Sequence, residues 1–410
     1  MPQYLAPGVY VEEVASGARP IEGVGTSTAG FVGLVPDDVT MPLLPGRTDA
    51  RYVVAPEFEA HLVTSWGAFV QAFGDLQAGN LVLAHAVYGF FNNGGSRCWV
   101  ARVGGAAPPP TARAKAATEA APAVDIDGVP VSALTRALDG FKAVDEIAIV
   151  ALPGATSDAA QNALIDHCEN EHLQDRFAVL DGRPTDVATR EAIQGGTRDS
   201  SYAAIYHPWV RVYDPVSNGL LTVPPSGYVA GVFARVDAER GVHKAPANEV
   251  VRGALDVATA VSREDQAGLN PDDINVIRKF GGNITIYGAR TLGGRENAEW
   301  RYVSVRRLFL FLRDSINAGV QWTVFEPNDA ALWGKLRRNV SAFLTNVWRS
   351  GALVGATPDE AFFVRCDATI NTPDVQATGQ VVAEIGVAVV RPAEFVIFRI
   401  SQWAGPGAAA

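Results

Sequence analysis

Cysteine is scarce in this chain of 410 residues, which contains only three, and methionine is scarcer still at two. Cys98, Cys168 and Cys366 are odd in number and lie far apart, so they predict neither a disulfide framework nor a zinc-binding repeat. We expect three reduced and mostly buried thiols. The sequence therefore predicts no metal site.

Long apolar runs are also missing. No segment has the ~18 consecutive apolar residues of a membrane span. The first residues, MPQYLAPGVYVEEV, lack the basic and apolar regions of a signal peptide. We therefore expect a chain that is made and folded in a cytoplasm, does not insert directly into membranes, and leaves the cell only by lysis or a dedicated route.

Positive charge is in deficit. The chain has 34 Lys and Arg against 44 Asp and Glu, which gives a formal net charge of −10. Nucleic acids are bound by basic surfaces, so this balance argues against a nucleic-acid partner. The hydrophobic fraction of 48% predicts a folded protein, and the length predicts two or three domains.

Recognisable catalytic signatures are missing as well. His167 and His172 in HCENEH lie five residues apart, whereas the zinc-protease helix needs a spacing of four. In GTSTA (25–29), Ala29 stands where a hydrolase elbow has glycine. None of the six His stands near a candidate nucleophile in a known pattern. We therefore expect no cofactor and no enzymatic activity, with an unrecognised hydrolase as the alternative.

Apolar strands alternate with helices through the middle of the chain. Strands are predicted at 27–35, 97–103, 146–154, 176–182 and 202–213, and helices at 65–74, 80–95, 157–172 and 185–196. This alternation indicates a partly parallel, buried sheet. The Ala- and Pro-rich stretch 104–123 is predicted to be a surface loop. The predicted fold class is α/β, or mixed α+β.

Two strong helices mark the last third of the chain. The first, 302–318, carries basic residues and an apolar stripe. The second, 329–350, has Asn328 as its predicted N-cap and Gly351 as its C′ residue. Its apolar stripe consists of Leu332, Leu336, Val340, Phe343, Leu344 and Val347. Further strands are predicted at 274–280, 284–291, 361–368 and 381–390.

Two apolar strands stand at the extremities of the chain. They are GVYVEEV (8–14) and EFVIFRI (394–400), and the second is apolar on both faces. Unpaired strands of this kind promote aggregation. Each strand can pair within its own subunit, which spacing alone favours. Each can instead be donated to the sheet of a neighbouring subunit, which Pro- and Gly-bounded arms favour.

The chain resembles the tail sheath proteins of contractile machines, which include phage tails, R-type bacteriocins and extracellular injection systems. The resemblance covers nearly the whole chain. It is carried by long motifs in the family's order: APGVYVEEV (6–14), FFNNGGSRCWVARV (90–103), YHPWVRVYDP (206–215), VPPSGYVAGVFARVDAERGVHKAPAN (223–248), GARTL (288–292), RRLFLFLRDSINAGVQWTVFEPND (306–329), GATPDEAFFVRCD (355–367) and RPAEFVIFRI (391–400).

This resemblance implies a compact subunit with two main domains. The implied parts are an N-terminal arm (1–23), an outer α/β domain (24–294) with a loop or small insertion at 104–140, an inner, tube-proximal α+β domain (295–392) and a C-terminal arm (393–410). The inner sheet would receive strand 8–14 of one neighbour and strand 394–400 of another. The inter-subunit residues would be Val9, Tyr10, Val11 and Val14 in the first arm and Phe395, Val396, Ile397, Phe398 and Ile400 in the second.

The resemblance also implies a structural function. Sheath subunits form stacked, typically six-fold rings around an inner tube, with baseplate and terminal cap proteins at the ends. Contraction from a metastable extended state drives the tube through an envelope without nucleotide. The alternative is a sheath-like paralogue with a cap or baseplate-proximal role. The particle would be made in the bacterial cytoplasm and then released by lysis or retained in the cell.

Contact with the tube is assigned to a basic helix face. In an acidic protein, helix 329–350 carries Lys335, Arg337, Arg338 and Arg349, which would suit an acidic tube exterior. The alternative is a solvated helix face with ordinary charges. The second choice of tube-facing helix is 302–318, with Arg306, Arg307 and Arg313.

Overall fold

A nine-stranded sheet forms the centre of most of the chain, and the computed structural model describes residues 20–104 and 126–397. The strands of this part are β1 (Ala29–Leu34), β2 (His61–Val63), β3 (Cys98–Val103), β4 (Ile149–Ala151), β5 (Phe177–Asp181), β6 (Ala203–His207), β7 (Val210–Asp214), β8 (Gly219–Val223), β9 (Glu249–Val250), β10 (Ala254–Val257), β11 (Ile274–Phe280), β12 (Asn283–Ile286), β13 (Phe362–Arg365) and β14 (Glu384–Val387). The α-helices are α1 (Trp66–Phe73), α2 (Leu81–Asn92), α3 (Val131–Asp139), α4 (Asp158–Glu169), α5 (Arg190–Gln194), α6 (Ser226–Arg240), α7 (Arg263–Leu269), α8 (Val303–Val320), α9 (Ala330–Arg349), α10 (Pro358–Ala361) and α11 (Pro373–Ala377). The predicted mixed α/β fold is confirmed.

Parallel pairing dominates the middle of the large sheet. Its strand order is β2-β3-β1-β4-β5-β6-β11-β12-β9. The pairs from β3 to β11 are parallel, and β2, β12 and β9 add antiparallel edges. Every residue of β5 and β6 is buried, as expected for parallel strands that are covered on both faces.

Alternate side chains of the central strands enter two different apolar cores, one on each face of the sheet. Ile149 and Ala151 join one core with residues of α1, α2 and α6. Val150 joins the other core with residues of α3 and α4. This alternation follows from the two-residue period of a strand. The predicted insertion 104–140 includes α3, whose Leu134 is fully buried, so that part of it belongs to the core.

Helix α6 is buried from Ser226 to Val236, around its whole circumference. Glycines allow its backbone to approach α2 closely: a Cβ on Gly231 would lie 2.5 Å from the carbonyl oxygen of Phe90. The sequence pattern does not predict this helix, because a helix that is apolar on all sides shows no amphipathic stripe.

Two predicted elements differ from the observed ones. The strand predicted at 202–213 is two strands, β6 and β7, separated by Pro208 and Trp209. Proline has no N–H to donate to a sheet, and β7 pairs with β8 and β10 in a separate three-stranded sheet. The helix predicted at 185–196 is confined to α5, which begins after its N-cap Thr189.

The described residues form two compact units. The larger comprises residues 25–104, 126–311 and 390–397, and the smaller comprises residues 20–24 and 312–389. In the smaller unit, α9 buries all six residues of its predicted stripe. Its N-cap is Asp329, which accepts from Leu332 N, so the prediction of Asn328 as the cap is wrong. Gly351 follows the helix with φ +83°, as expected for a C′ glycine.

Candidate assembly surfaces

One carboxylate fixes the beginning of the predicted C-terminal arm. Glu394 accepts hydrogen bonds from Arg290 Nε at 2.9 Å and Nη2 at 2.8 Å, from Asn270 Nδ2 at 2.7 Å, and from Tyr302 OH at 3.0 Å. We call these four residues the Glu394 clamp. Burial alone would raise the pKa of Glu394, but the hydrogen bonds from Arg290, Asn270 and Tyr302 outweigh it and hold that pKa below its ordinary value.

Three apolar side chains follow the clamp and are exposed. Phe395 is 71% exposed, Val396 69% and Ile397 78%, and residues 391–397 form no strand. Contiguous exposed apolar residues are typical of interaction surfaces. The other predicted arm residues lie outside the described residues: Val9, Tyr10, Val11, Val14, Phe398 and Ile400.

The smaller unit contains a sheet of only two strands. β13 and β14 are antiparallel, with Phe362 opposite Val387, and a bridge between Leu353 and Val389 extends the pairing. Phe363 on this sheet is 54% exposed. Among residues 20–104 and 126–397, no third strand joins the pair. Two strands alone are marginally stable, and their free edges can accept further strands.

The four basic residues predicted to face the tube are all exposed on α9. At about 100° per residue, Lys335, Arg338 and Arg349 lie within about 60° of one another around the helix. Arg337 lies on a different side, and its Nη1 donates to the carbonyl oxygen of Cys366 at 3.3 Å. The helix thus presents a basic face of three residues, with Arg349 about 17 Å along the axis from Arg338.

The second choice of tube-facing helix, α8, does not present its predicted basic surface. Arg306 is 8% exposed and Arg307 3%. The guanidinium of Arg306 lies 3.7 Å from the ring centroid of Trp300, and Arg307 forms a bidentate ion pair with Asp237. The prediction is therefore wrong for these two residues, because their charges are used inside the larger unit. Only Arg313 of the three is exposed.

The described residues contain neither a metal-binding group of side chains nor a membrane-spanning helix. No group of three or more His, Cys, Asp or Glu suited to a metal ion is found among residues 20–104 and 126–397. In the same two ranges, no helix is long and apolar enough to cross a membrane. Cys98, Cys168 and Cys366 are buried and unpaired, and burial raises the pKa of the Cys98 thiol.

Two family models match the chain in succession. The phage tail sheath protein central domain matches residues 127–292, and the phage tail sheath C-terminal domain matches residues 295–402. Together with the structural matches below, they show that the chain belongs to the phage tail sheath family. The resemblance expected from the motifs is confirmed.

The solved structures of related sheaths match nearly the whole chain. The helical sheath of the anti-feeding prophage (AFP) in the contracted state is 31% identical, with a TM-score of 0.72, and the match covers 97% of this chain and 99% of that one. The PVC sheath complex of an extracellular contractile injection system, also contracted, is 28% identical, with a TM-score of 0.73, and the match covers 98% and 99%.

Curated sequences match over a shorter stretch. The tail sheath protein of Salmonella phage ViI is 32% identical over 220 residues, which is 52% of this chain and 33% of that protein. The matched stretches span between 29% and 58% of the length of the curated relatives.

Sequence reasoning did not identify the Glu394 clamp. Arg290 lies in the motif GARTL and Glu394 in RPAEFVIFRI. Their opposite charges in two family motifs were the one feature of the sequence that could have indicated an ion pair between them. The two residues are 104 positions apart, and neither charge has a periodic pattern around it that would indicate a partner.

Proposed function

We propose that this protein is the structural subunit of a contractile sheath, which polymerises in stacked six-fold rings around an inner tube. The observation that carries the proposal is the match to the AFP helical sheath over 97% of this chain at 31% identity. Baseplate and terminal cap proteins would bind the ends of the polymer. The AFP baseplate structure matches this chain over 97% of its length at 30% identity, to the same extent as the contracted sheath structures. The electron microscopy below therefore decides between a sheath subunit and a cap or baseplate-proximal paralogue.

Contraction would need no nucleotide, cofactor or enzymatic step. The force would come from apolar surface that becomes buried between subunits when the extended state is released. At about 25 cal/mol per Å², burial of roughly 400 Å² more per subunit would supply on the order of 10 kcal/mol. The protein would be made in the bacterial cytoplasm as part of a phage tail or tail-like particle, which is released by lysis or retained.

The two arms would link the subunits by strand donation. Residues 394–400 of one copy and 8–14 of another would add to the β13–β14 sheet of a third. Two observations support this. Phe395, Val396 and Ile397 are exposed beyond the Glu394 clamp, and the β13–β14 sheet has two strands within the part of the chain that the structure describes. Added strands would pair the free edges and cover these side chains.

Electron microscopy of purified protein tests the assembly. The full chain is expected to form long hollow cylinders in negative stain. Deletion of residues 1–15, or the double substitution Phe395→Asp and Ile397→Asp, should leave folded subunits that do not polymerise. Val53→Asp is the control, because Val53 is 86% exposed on a loop. The Val53→Asp variant should assemble normally. Cylinders of unchanged yield from both arm variants would refute strand donation.

The basic face of α9, formed by Lys335, Arg338 and Arg349, would contact an acidic surface of the inner tube. Arg337 would contribute less to tube binding, because it lies on another side of the helix and donates a hydrogen bond to the Cys366 carbonyl oxygen. Reversal of the three charges to Glu should abolish cosedimentation with tube protein while self-assembly persists. Added salt should weaken tube binding by the parent chain.

A second triple variant controls for the change in net charge. Arg47, Arg97 and Lys142 are 59%, 53% and 46% exposed and belong to the larger unit. Their reversal to Glu changes the net charge by the same amount but should leave tube binding intact. Equal loss of binding by both triple variants would contradict a specific role for α9.

A further inference from the structure

The chain enters the larger unit again just before its C-terminal arm. Residues 312–389 belong to the smaller unit, and 390–397 belong to the larger one. Glu394 is the residue that attaches this returning segment, through four hydrogen bonds to three side chains of the larger unit. The next residue, Phe395, is already 71% exposed. The attachment is therefore made by the first residue of the predicted donor strand, 394–400, immediately before its exposed apolar residues.

The receiving side of the clamp is held by further hydrogen bonds within the larger unit. Arg290 is 8% exposed, its backbone N donates to Asn275 Oδ1 at 2.7 Å, and its backbone oxygen accepts from Asn275 Nδ2 at 2.8 Å. Its Nη1 also donates to the carbonyl oxygen of Asn270 at 2.7 Å. Asn270 ends α7, and Tyr302 immediately precedes α8. Three separate segments thus hold the donors in place around one carboxylate.

A bidentate Arg–carboxylate pair fixes direction as well as position. Its two parallel N–H···O bonds restrict the plane of the carboxylate. The bonds from Asn270 and Tyr302 constrain the same two oxygens further. The carboxylate of Glu394 is consequently held in one position and one plane within the larger unit.

We propose that Glu394 is a positioning residue for strand donation. By holding its carboxylate among Arg290, Asn270 and Tyr302, the larger unit fixes the point and the direction from which residues 395–400 reach a neighbouring copy. This inference rests on the proposed donation of the C-terminal arm. It adds that the larger unit, and not the length of the tether after residue 389, determines where the donor strand is presented.

The clamp should act through effective concentration. With the clamp closed, the donor strand starts at its anchor; with the clamp open, the free tether also includes residues 390–394. A longer flexible tether lowers the local concentration of a linked binding segment and leaves more backbone to be ordered on docking. Loss of the clamp is therefore expected to raise the critical concentration for assembly about tenfold.

Two substitutions in the clamp give a graded test. Glu394→Gln removes the charge and the bidentate pair with almost no change of size, whereas Tyr302→Phe removes only one hydrogen bond and should have a smaller effect in the same direction. The matched control is Glu296→Gln, which removes a charge from an exposed residue of the larger unit. Critical concentrations are measured by sedimentation of polymer from dilution series of each full chain.

Single-molecule energy transfer tests positioning directly in the unassembled full chain. Dyes are attached at Ile397→Cys and Arg263→Cys, two exposed positions, because the native cysteines are buried and react poorly. The parent chain and Glu296→Gln are expected to show a narrow distribution of energy-transfer efficiency between the two dyes. The distribution should be slightly broader for Tyr302→Phe and broad for Glu394→Gln. Thermal unfolding of each variant serves as the check on folding.

The two readouts separate this inference from the proposed function. If the double Asp variant of the C-terminal arm polymerises normally, donation of the C-terminal strand is wrong, whatever the clamp does. If that variant fails to polymerise, but Glu394→Gln and Tyr302→Phe keep the narrow transfer distribution and the parental critical concentration, donation stands and the positioning role of Glu394 is refuted.

Discussion

Removal of the positive charge of Arg307 should strongly destabilise the larger unit. Its Nη1 and Nη2 donate to the carboxylate of Asp237 at 2.9 and 2.6 Å, and Nη2 also donates to the carbonyl oxygen of Thr26 at 2.9 Å. Thr26 Oγ1 donates to the same carboxylate at 2.7 Å. The side chains of Arg307 and Asp237 are only 2% and 3% exposed, so Arg307→Met would leave a buried carboxylate without its cation.

The magnitude follows from this burial. Loss of one partner of a buried ion pair costs about 3–5 kcal/mol. At about 2–4 °C per kcal/mol for a unit of this size, the thermal midpoint should fall by about 6–20 °C. Replacement of both partners, Arg307→Met with Asp237→Leu, removes the uncompensated charge and should recover most of that loss.

Thermal and guanidinium unfolding, monitored by circular dichroism, measure the effect. The matched control is Arg97→Met, which breaks the pair with Glu146 at 2.8 Å, where the side chains are 53% and 35% exposed. That pair should contribute about 0–1 kcal/mol. A loss below about 1 kcal/mol for Arg307→Met, or a double variant no more stable than the single one, would refute the reasoning. The same result would reopen α8 as a candidate tube surface.

Two further predictions concern the larger unit. Gly231→Ala places a Cβ 2.5 Å from the Phe90 carbonyl oxygen and should lower the free energy of unfolding by about 1–3 kcal/mol. The control Gly268→Ala lies in open space on α7 and should instead raise the free energy of unfolding by about 0.5–1 kcal/mol. Equal effects of the two substitutions in denaturant titrations would contradict the close contact between α6 and α2. Burial raises the pKa of Asp181 from 3.8 to about 7. Since this exceeds the unfolded-state value, the contribution of Asp181 to stability is fully present below about pH 4 and is lost as pH rises through about 7. The free energy of unfolding should therefore decline over that interval by about 4 kcal/mol. Asp181→Asn should remove this decline, and an unchanged pH profile would show that Asp181 is not its source.

The sequence predicts best those elements whose pattern is set by their own burial. The apolar stripe of α9 is fully buried because a helix with one apolar side can pack in only one orientation. Strand β1 lies within the predicted 27–35 because a continuous apolar run fits a covered parallel strand. Helix α6 has no such asymmetry, and its glycines, which make the contact with α2, appear in the sequence only as poor helix formers.

Charged residues of the candidate surfaces were harder to predict for a related reason. Arg306 and Arg307 lie next to each other in a basic stretch, and the sequence pattern could not distinguish them from solvated residues. Their burial depends on Asp237 and Trp300, whose positions are set by the tertiary fold. Glu394 depends likewise on partners far along the chain. By contrast, the exposed residues of α9 followed directly from its helical period.

The two units suggest different dependences on the polymer. In the larger unit, the central sheet is covered on both faces by apolar cores, and the buried ion pair of Arg307 and Asp237 is formed within the unit. The smaller unit has a two-stranded sheet and a small buried cluster of Leu332, Trp333, Leu336 and Cys366. A ligand that binds only the folded state stabilises that state. Donated strands would be such ligands, so assembly and the integrity of the smaller unit would be thermodynamically linked. The larger unit, through the Glu394 clamp, would then present the strand that stabilises a neighbour's smaller unit.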